Sequence, residues 1–296
     1  MISLIICSRK TSISGILQKN IESTIGAEYE IVVINNSKNE LSIFEAYNIG
    51  VSKSIGDVLC FMHDDILYHT NNWGKKVYAH LKDDLIGAIG IAGSPFIGQL
   101  PGSWWANELV NQQIAINKNG LISNFTKFSD GIEETSKPVV TLDGVWMCVK
   151  KELFNQISFD KNTFTGYHFY DIDLCLQIFQ LNYKICAVFD IQIEHFSAGK
   201  VNEQWINSAL LLNSKWSKNL PLQSMALTKS QKLQAEVKTL KEFIRILISN
   251  RKVKSESYFF AIKQLLKRNK NLPIQNKAIF ISYYILKYIN AKLHSN

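Results

Sequence analysis

The sequence lacks the cysteine patterns of a zinc-binding or disulfide-stabilised protein. Its five cysteines stand apart in apolar surroundings, and none of them forms a Cys-x-x-Cys pair. We interpret them as reduced, buried thiols of a cytoplasmic protein. A signal peptide is not expected either, because Met1 leads directly into the short run ISLIICS, without a basic segment or a long apolar one.

Long apolar runs, internal repeats and low-complexity tracts are missing as well. No stretch reaches the roughly 18 uncharged apolar residues that a membrane-spanning helix needs, and so no span is expected. No nucleic-acid-binding motif is present, which argues against a nucleic acid partner. The 296 residues, 46% hydrophobic and 11% aromatic, are instead typical of a globular protein with one large domain or two ordinary ones.

Acidic residues are scarce near the end of the chain. Residues 228–296 contain 15 Lys or Arg and three Asp or Glu, a net charge of +12, whereas residues 1–227 contain 18 and 22, a net charge of −4. Two parts of opposite charge predict two roles. The basic part could form a lid or a homo-oligomer contact, or its helices could lie on an anionic membrane, at the inner face of that membrane. A face that is simply solvated is the plain alternative.

Strands and helices alternate over the first 93 residues. Apolar runs predict strands at 2–7, 30–35, 57–62 and 85–93, and helical spacing predicts helices at 12–24, 41–53 and 71–84. This alternation predicts an α/β fold with a mostly parallel sheet and helices on both faces. An irregular insertion follows at 94–138, of the kind that is usually functional or flexible.

Order returns after the insertion and then changes character. We predict a strand, a turn and a strand over 139–154, a helix at 171–182 and strands over 184–196; beyond residue 200, helices are predicted at 202–217, 230–249, 255–268 and 274–293. The domains are therefore expected to be an α/β domain at 1–220 and a basic helical module at 221–296.

The third predicted strand ends in three groups that bind metals or protons, His63, Asp64 and Asp65. Ligands of parallel sheets bind at the carboxyl ends of the strands. The residues that end the first two strands are expected at the same edge: Ser8, Arg9 and Asn35. Oxygen ligands at such an edge suit Mg²⁺ or Mn²⁺, although a solvated acidic turn that caps the next helix explains these three residues equally well.

His195 and a second acidic pair add to this pattern. His195 closes another apolar strand, and two strand ends that each finish on a metal-binding side chain are hard to ascribe to chance, although a lone histidine is usually structural. Asp171 and Asp173 begin the helix at 171–182, where ordinary helix-start acids are the alternative. A carboxylate near the site is a candidate general base.

Six segments carry, in order, a resemblance to a known family: ISLIICS, EIVVINNS, AYNIGVSKSIGDVLCFMHDDI, LDGVWMCVKKELF, HFYDIDLCLQIFQLNYKI and IEHFSAG. Short acidic motifs recur by chance, but the ordered set with sensible spacing is a strong signal. Residues 1–200 resemble a family 2 glycosyltransferase of the GT-A fold.

The resemblance implies an inverting transferase that moves a sugar from a nucleotide-diphosphate donor to a glycan or lipid-linked acceptor. It implies that Asp65 and His195, with His63, bind Mn²⁺ or Mg²⁺ and that Asp171 is the catalytic base. The residues at the expected donor nucleotide site are Ser8, Arg9, Asn35, Asn48, His63 and Asp64, and those expected to hold the sugar or acceptor are Asp143, Trp146, Trp104 and Trp105. The two adjacent tryptophans could equally anchor the insertion.

Several positions depart from the family pattern. His63 replaces an aspartate, Asn35 an aspartate, Tyr170 a glutamate and Tyr47 a basic residue, while Asn182 replaces a glycine harmlessly. Two other functions therefore stay open. One is a metal-dependent hydrolase or nucleotidyltransferase, and the other is a non-catalytic member of the fold that binds glycans or partners.

Overall fold

The computed structural model describes residues 1–107, 109–112, 114–118, 121–122, 134–197, 199 and 201–250. The helices predicted at 255–268 and 274–293 lie outside these residues. The chain divides into two compact units. The first contains residues 1–95, 110–199 and 223–225, and the second contains residues 96–109, 200–222 and the described residues from 226 on.

The elements alternate as the sequence predicts. The strands are β1 (Ile2–Ser8), β2 (Tyr29–Asn35), β3 (Val58–Met62), β4 (Ile66–Tyr68), β5 (Ile86–Gly90), β6 (Ala92–Ser94), β7 (Phe96–Ile97), β8 (Asn111–Gln112), β9 (Ile114–Lys118), β10 (Leu121–Ile122), β11 (Ser136–Val139), β12 (Thr141–Leu142), β13 (Trp146–Lys150), β14 (Lys184–Val188), β15 (Ile193–His195) and β16 (Leu222–Gln223). The helices are α1 (Gly15–Thr24), α2 (Ile43–Lys53), α3 (Trp73–Leu81), α4 (Tyr170–Gln180), α5 (Glu203–Trp216) and α6 (Lys229–Ser249), with short 3-10 helices at Trp104–Asn107 and Lys151–Asn155.

A seven-stranded sheet forms the centre of the first unit, in the order β11-β14-β5-β13-β3-β1-β2. Strand β1 pairs in parallel with both β2 and β3, and β14 pairs in parallel with β5. Strand β13 lies antiparallel between β3 and β5, and β11 is an antiparallel edge strand. The mostly parallel α/β fold predicted from the sequence is therefore confirmed.

Helices cover both faces of this sheet. Alternate side chains of each strand point to opposite faces, so a strand made of apolar residues throughout gives the sheet two apolar faces to cover. On one face Leu4 and Cys60 belong to a buried cluster with Ile21 of α1 and Val77 of α3. On the other face Phe61 packs against α2, with its ring centroid 5.0 Å from that of Tyr47. Strands buried on both faces read as continuous apolar runs, as the sequence shows here.

A small sheet with the order β10-β9-β15-β4 lies beyond the end of β3. Strand β15 pairs antiparallel with β4, and His195 is the register partner of Ile66. Because β4 begins four residues after β3 ends, this pairing brings the end of β15 beside the three residues that follow β3. The strand that carries His195 is thus held at the edge where His63 and Asp65 lie.

The run 85–93, predicted as one strand, forms two. Strand β5 belongs to the central sheet, whereas β6 joins a separate three-stranded sheet in the order β12-β6-β8. A Cβ atom at Gly93 would meet the carbonyl oxygen of Thr141 at 2.0 Å, so only glycine permits this close pairing of β6 with β12. The run is therefore divided by the pairing of β6 with β12, a strand that is distant in sequence.

The second unit is built around α5, α6 and the 3-10 helix. Helix α6 begins with a capping box in which Thr228 and Gln231 each bond the other's backbone N–H. The ring of Trp205 lies 6.2 Å from that of Trp105 and 6.5 Å from that of Phe243, and these contacts hold the three elements together. Among the helices of the described ranges, none has the length and apolar character needed to cross a membrane.

Candidate functional site

Polar residues gather where the parallel strands β1, β2 and β3 end. Ser8 and Asn35 are register partners at the ends of β1 and β2, and His63 follows the last residue of β3. The antiparallel β13 begins at this edge, and the backbone N–H of His63 donates to the carbonyl of Val145, 3.0 Å away. The edge predicted from the sequence therefore exists, and it also receives the turn that precedes β13.

Three side chains at this edge form a compact triangle. His63 Nδ1 lies 3.3 Å from His195 Nε2 and 3.7 Å from Asp65 Oδ1, and His195 Nε2 lies 3.3 Å from the same carboxylate oxygen. These three residues form a group whose ligand atoms could hold one metal ion. The Ser197 hydroxyl also lies 3.3 Å from His195 Nε2.

The triangle has the size of a metal coordination shell. A point equidistant from the three atoms lies about 2 Å from each of them, which is the length of a typical metal–nitrogen or metal–oxygen bond to a small divalent ion. Two imidazoles and one carboxylate are donors that divalent transition metals accept. The residues present therefore fit such an ion.

The protonation states also suit a ligand set. Desolvation by itself would raise the pKa of Asp65, but hydrogen bonds with His195 and Ser197 and the neighbouring histidine charges lower that pKa to about 2. Desolvation and, after it, the adjacent His195 lower the pKa of His63. An ionised carboxylate and a neutral imidazole are the forms that bind metals.

A second carboxylate, that of Asp171, lies at the start of α4. Its Oδ2 accepts from the backbone N–H of Gly144 and its Oδ1 from that of Ile172, each at 2.9 Å. Burial and, second, the negative charge of Asp143 raise the pKa of Asp171 to about 7. A carboxylate with a pKa near neutrality can both take and release a proton under physiological conditions.

Gly144 connects this carboxylate to the triangle. Its N–H donates to Asp171, and its carbonyl accepts from the Tyr170 hydroxyl at 2.9 Å, while the same hydroxyl lies 3.3 Å from His63 Nε2. A Cβ atom at position 144 would lie 2.2 Å from the Tyr170 hydroxyl, so the contact requires glycine. One peptide segment thus fixes the candidate base and one candidate ligand together.

Comparison with known proteins assigns the chain to a family. The family model described as "Glycosyltransferase like family" matches residues 4–220, which is most of the chain. The chain belongs to this family. A search of curated protein sequences returned no match.

Two solved structures have a fold similar to that of this glycosyltransferase-like protein. GalNAc-T7 with UDP, GalNAc and Mn²⁺ is similar with a TM-score of 0.50 at 12% identity, covering 82% of this chain and 56% of the other. S. aureus TarS 1-349 in complex with UDP-GlcNAc is similar with a TM-score of 0.50 at 16% identity, covering 98% of this chain and 89% of the other. The chain thus spans little more than half the length of GalNAc-T7, and at these identities the likeness shows the fold.

The residues predicted to contact the donor occupy different environments. The Ser8 hydroxyl donates to Asp64 Oδ2 at 2.6 Å, which joins the end of β1 to the loop after β3. Arg9 is exposed, and Asn35 is exposed with its Oδ1 accepting from the Ser37 N–H at 3.0 Å. The Asn48 amide instead bonds both backbone groups of Phe159, at 2.8 and 3.1 Å, so its observed contacts are structural. A donor contact of each residue stays a prediction.

The residues predicted to bind the acceptor also differ in their environment and exposure. Asp143 lies in the turn before β13, where its Oδ1 accepts from the Val145 N–H at 2.9 Å. Trp146 is fully buried, and its Nε1 donates to the Tyr68 hydroxyl at 2.9 Å, so its ring has no surface to offer an acceptor. In the second unit Trp104 is buried and Trp105 is 42% exposed, and their predicted role stays a prediction.

The sequence analysis did not predict a cluster of hydrogen bonds around the buried Asn36, next to the site. The Asn36 amide donates to the Leu41 carbonyl at 2.8 Å and to the Tyr167 hydroxyl at 2.9 Å, and its oxygen accepts from the Leu41 N–H at 3.0 Å. These hydrogen bonds connect the loop after β2 to the segment before α4. The local signal was an asparagine directly after a strand, which commonly bonds nearby backbone in a turn.

Proposed function

We propose that this protein is an inverting glycosyltransferase that moves a sugar from a nucleotide-diphosphate donor to a hydroxyl group of a glycan or lipid-linked acceptor. The observation that carries the proposal is the triangle of His63, Asp65 and His195 beside a carboxylate with a pKa of about 7, in a chain of this family. Because the two similar structures contain UDP or UDP-GlcNAc, a uridine nucleotide is the first donor to test.

In this proposal the triangle holds a divalent cation, Mn²⁺ or Mg²⁺. Such a cation, when bound, supplies positive charge that neutralises a diphosphate leaving group. Asp65, which is ionised, and the side chains of His63 and His195 would hold this cation. Ser8, Arg9 and Asn35 line the strand ends where the nucleotide would lie.

Asp171 is the general base of the proposal. Its carboxylate takes the proton of an acceptor hydroxyl while that oxygen attacks the anomeric carbon, and the bond to the diphosphate breaks as the new bond forms. A single displacement inverts the configuration at that carbon. The two backbone N–H groups that bind Asp171 fix its orientation, and its pKa near 7 leaves a large ionised fraction at neutral pH.

A thermal-shift screen tests donor binding. The full chain is incubated with UDP-, GDP-, dTDP- and CMP-sugars, with and without Mn²⁺, since ligand occupancy raises the melting temperature. We expect a Mn²⁺-dependent shift with one nucleotide class, and its loss in Asp65→Ala. The matched control is Asp84→Ala, which removes a fully exposed carboxylate outside the site and should keep the shift.

A transfer assay on Asp171→Asn separates binding from chemistry. The amide keeps the shape of the side chain but cannot accept a proton, so transfer should fall to background while the nucleotide shift persists. Retained transfer would remove Asp171 from the base role. Turnover of the sugar nucleotide without any acceptor would favour a hydrolase, and the lack of any nucleotide shift would favour a non-catalytic binding protein.

A further inference from the structure

The hydroxyl of Tyr170 has a fixed proton arrangement. It lies 2.9 Å from the carbonyl oxygen of Gly144 and 3.3 Å from His63 Nε2, and the tyrosine is buried. Buried polar groups in proteins are nearly always hydrogen-bonded. A carbonyl oxygen has no proton to give, so the Tyr170 hydroxyl is the donor of its bond to Gly144. The Tyr47 hydroxyl, which also contacts Tyr170, has a proton of its own to give.

This arrangement determines which nitrogen of His63 carries a proton. Since the Tyr170 oxygen faces Nε2 with a lone pair, the hydrogen bond between them requires a proton on Nε2. In a neutral imidazole the other nitrogen, Nδ1, then has the free lone pair. Nδ1 is the atom that lies 3.3 Å from His195 Nε2 and 3.7 Å from Asp65 Oδ1.

We propose that Tyr170 is a positioning residue that holds His63 as an Nδ1 metal ligand, and that the resulting set of two nitrogens and one carboxylate oxygen selects divalent transition ions such as Mn²⁺ or Zn²⁺ over Mg²⁺. The inference rests on the metal site of the proposed function and deepens it. Imidazole nitrogens suit transition ions, whereas Mg²⁺ prefers oxygen ligands in octahedral geometry.

The Tyr170 hydroxyl is suited to this role. Ligand histidines commonly donate their second N–H to an oxygen, which fixes the tautomer and the ring orientation. The hydroxyl oxygen of Tyr170 can accept this hydrogen bond from His63, because its own proton is held by Gly144.

The test measures metal binding by the full chain after treatment with a chelator, without nucleotide. Electron paramagnetic resonance of free Mn²⁺ gives the affinity, titration with Mg²⁺ gives the selectivity, and pulsed measurements count the nitrogens coupled to bound Mn²⁺. We expect wild type to show two nitrogens and to release Mn²⁺ only in a large excess of Mg²⁺. Tyr170→Phe should weaken Mn²⁺ binding by about 10- to 100-fold and lose one coupled nitrogen.

Two further variants make the result specific. His63→Asp should lose one nitrogen and reduce the preference for Mn²⁺ over Mg²⁺. Tyr68→Phe removes another buried tyrosine hydroxyl, one that accepts from Trp146 rather than contacting His63, and should keep the wild-type Mn²⁺ affinity. Equal weakening in Tyr68→Phe would attribute the effect to general loss of packing and overturn the inference.

The remaining outcomes separate this inference from the proposed function. A single coupled nitrogen in wild type, no Mn²⁺ binding at all, or unchanged binding in Tyr170→Phe would overturn it. Sugar transfer by wild type is assayed in parallel. Two coupled nitrogens without transfer would support the metal centre and reject the transferase, whereas transfer with one coupled nitrogen would reject only the role of Tyr170.

Discussion

Replacing Asp171 with asparagine should stabilise the protein in alkaline solution while it removes the proposed base. The pKa of Asp171 is raised to about 7 by burial and by Asp143. A carboxyl whose pKa is raised in the folded state binds its proton more tightly there than in the unfolded chain. Its contribution to stability is therefore present at low pH, below the unfolded pKa, and is lost as pH rises through 7.

The size of this loss follows from the shift. Because the pKa rises from the ordinary aspartate value of 3.8 to about 7, at 1.36 kcal/mol per pKa unit, the ionised carboxylate costs about 4 kcal/mol of folding free energy at pH 8. At pH 5 the folded carboxyl is protonated and the cost is about 1.6 kcal/mol. Asparagine avoids both costs but forfeits one of the two accepted backbone hydrogen bonds, which reduces the gain by about 1 kcal/mol at every pH.

The assay is urea unfolding of wild type and Asp171→Asn at pH 5 and pH 8 in the presence of a chelator. The variant should be more stable at pH 8 by about 3 kcal/mol, and its advantage should grow by 2 to 3 kcal/mol, as an order of magnitude, between the two pH values. The difference between the two pH values is the sharper quantity, because the hydrogen-bond loss cancels from it.

Asp190→Asn provides a control of opposite sign. Desolvation by itself would raise the pKa of Asp190, but hydrogen bonds and charges from His80 and Lys76 lower that pKa. The ionised form of Asp190 therefore stabilises the fold at pH values above the pKa of the unfolded state. Its replacement should destabilise the protein at pH 8. A pH-independent effect of Asp171→Asn, or a loss of stability at pH 8, would show that Asp171 is not held at a raised pKa and would refute the reasoning.

Three other predictions concern the site and the basic part of the chain. Asp143→Asn should move the acidic limb of the kcat/KM profile to lower pH, because it removes a charge that raises the pKa of Asp171; an unmoved limb would contradict this. Gly144→Ala should lower the free energy of unfolding by about 1–3 kcal/mol in urea titrations, because its Cβ would overlap the Tyr170 hydroxyl, and wild-type stability would refute that contact. Because residues 228–296 carry a net charge of +12, the full chain should sediment with phosphatidylserine vesicles but not with phosphatidylcholine vesicles, and high salt should abolish this binding. Salt-insensitive binding, or none, would contradict membrane contact by these residues.

Local patterns were sufficient to predict most of the elements of the fold. The capping box at Ser42 and Glu45 is visible in the sequence as Ser-x-x-Glu, and α2 begins directly after Ser42. The position of β13 was not predictable in this way. Its apolar residues identify a strand, but its antiparallel insertion between β3 and β5 depends on pairings with residues about 60 to 90 positions away.

The candidate site was predictable to the extent that it depends on strand ends. His63 and His195 end apolar runs, and the parallel sheet together with the β4–β15 pairing brings them to one place. Trp146 was not predictable in this way, because its position next to the Asp143 turn does not indicate on which side of the strand its side chain lies. Its side chain points into the core, where its ring lies 6.2 Å from that of Trp73.

The departures at positions 63 and 170 make sense only as a pair. Each alone replaces an expected carboxylate and weakens the resemblance, but the two side chains contact each other at 3.3 Å. One nearby carboxylate, Asp143, already contributes to a pKa of about 7 at Asp171. Two further carboxylates, at positions 63 and 170, would raise that pKa again and keep the base protonated unless a cation compensated them. With a neutral imidazole at position 63 and a hydroxyl at position 170, Asp171 can ionise near neutral pH. The proposed base therefore depends less on a bound cation for its ionisation.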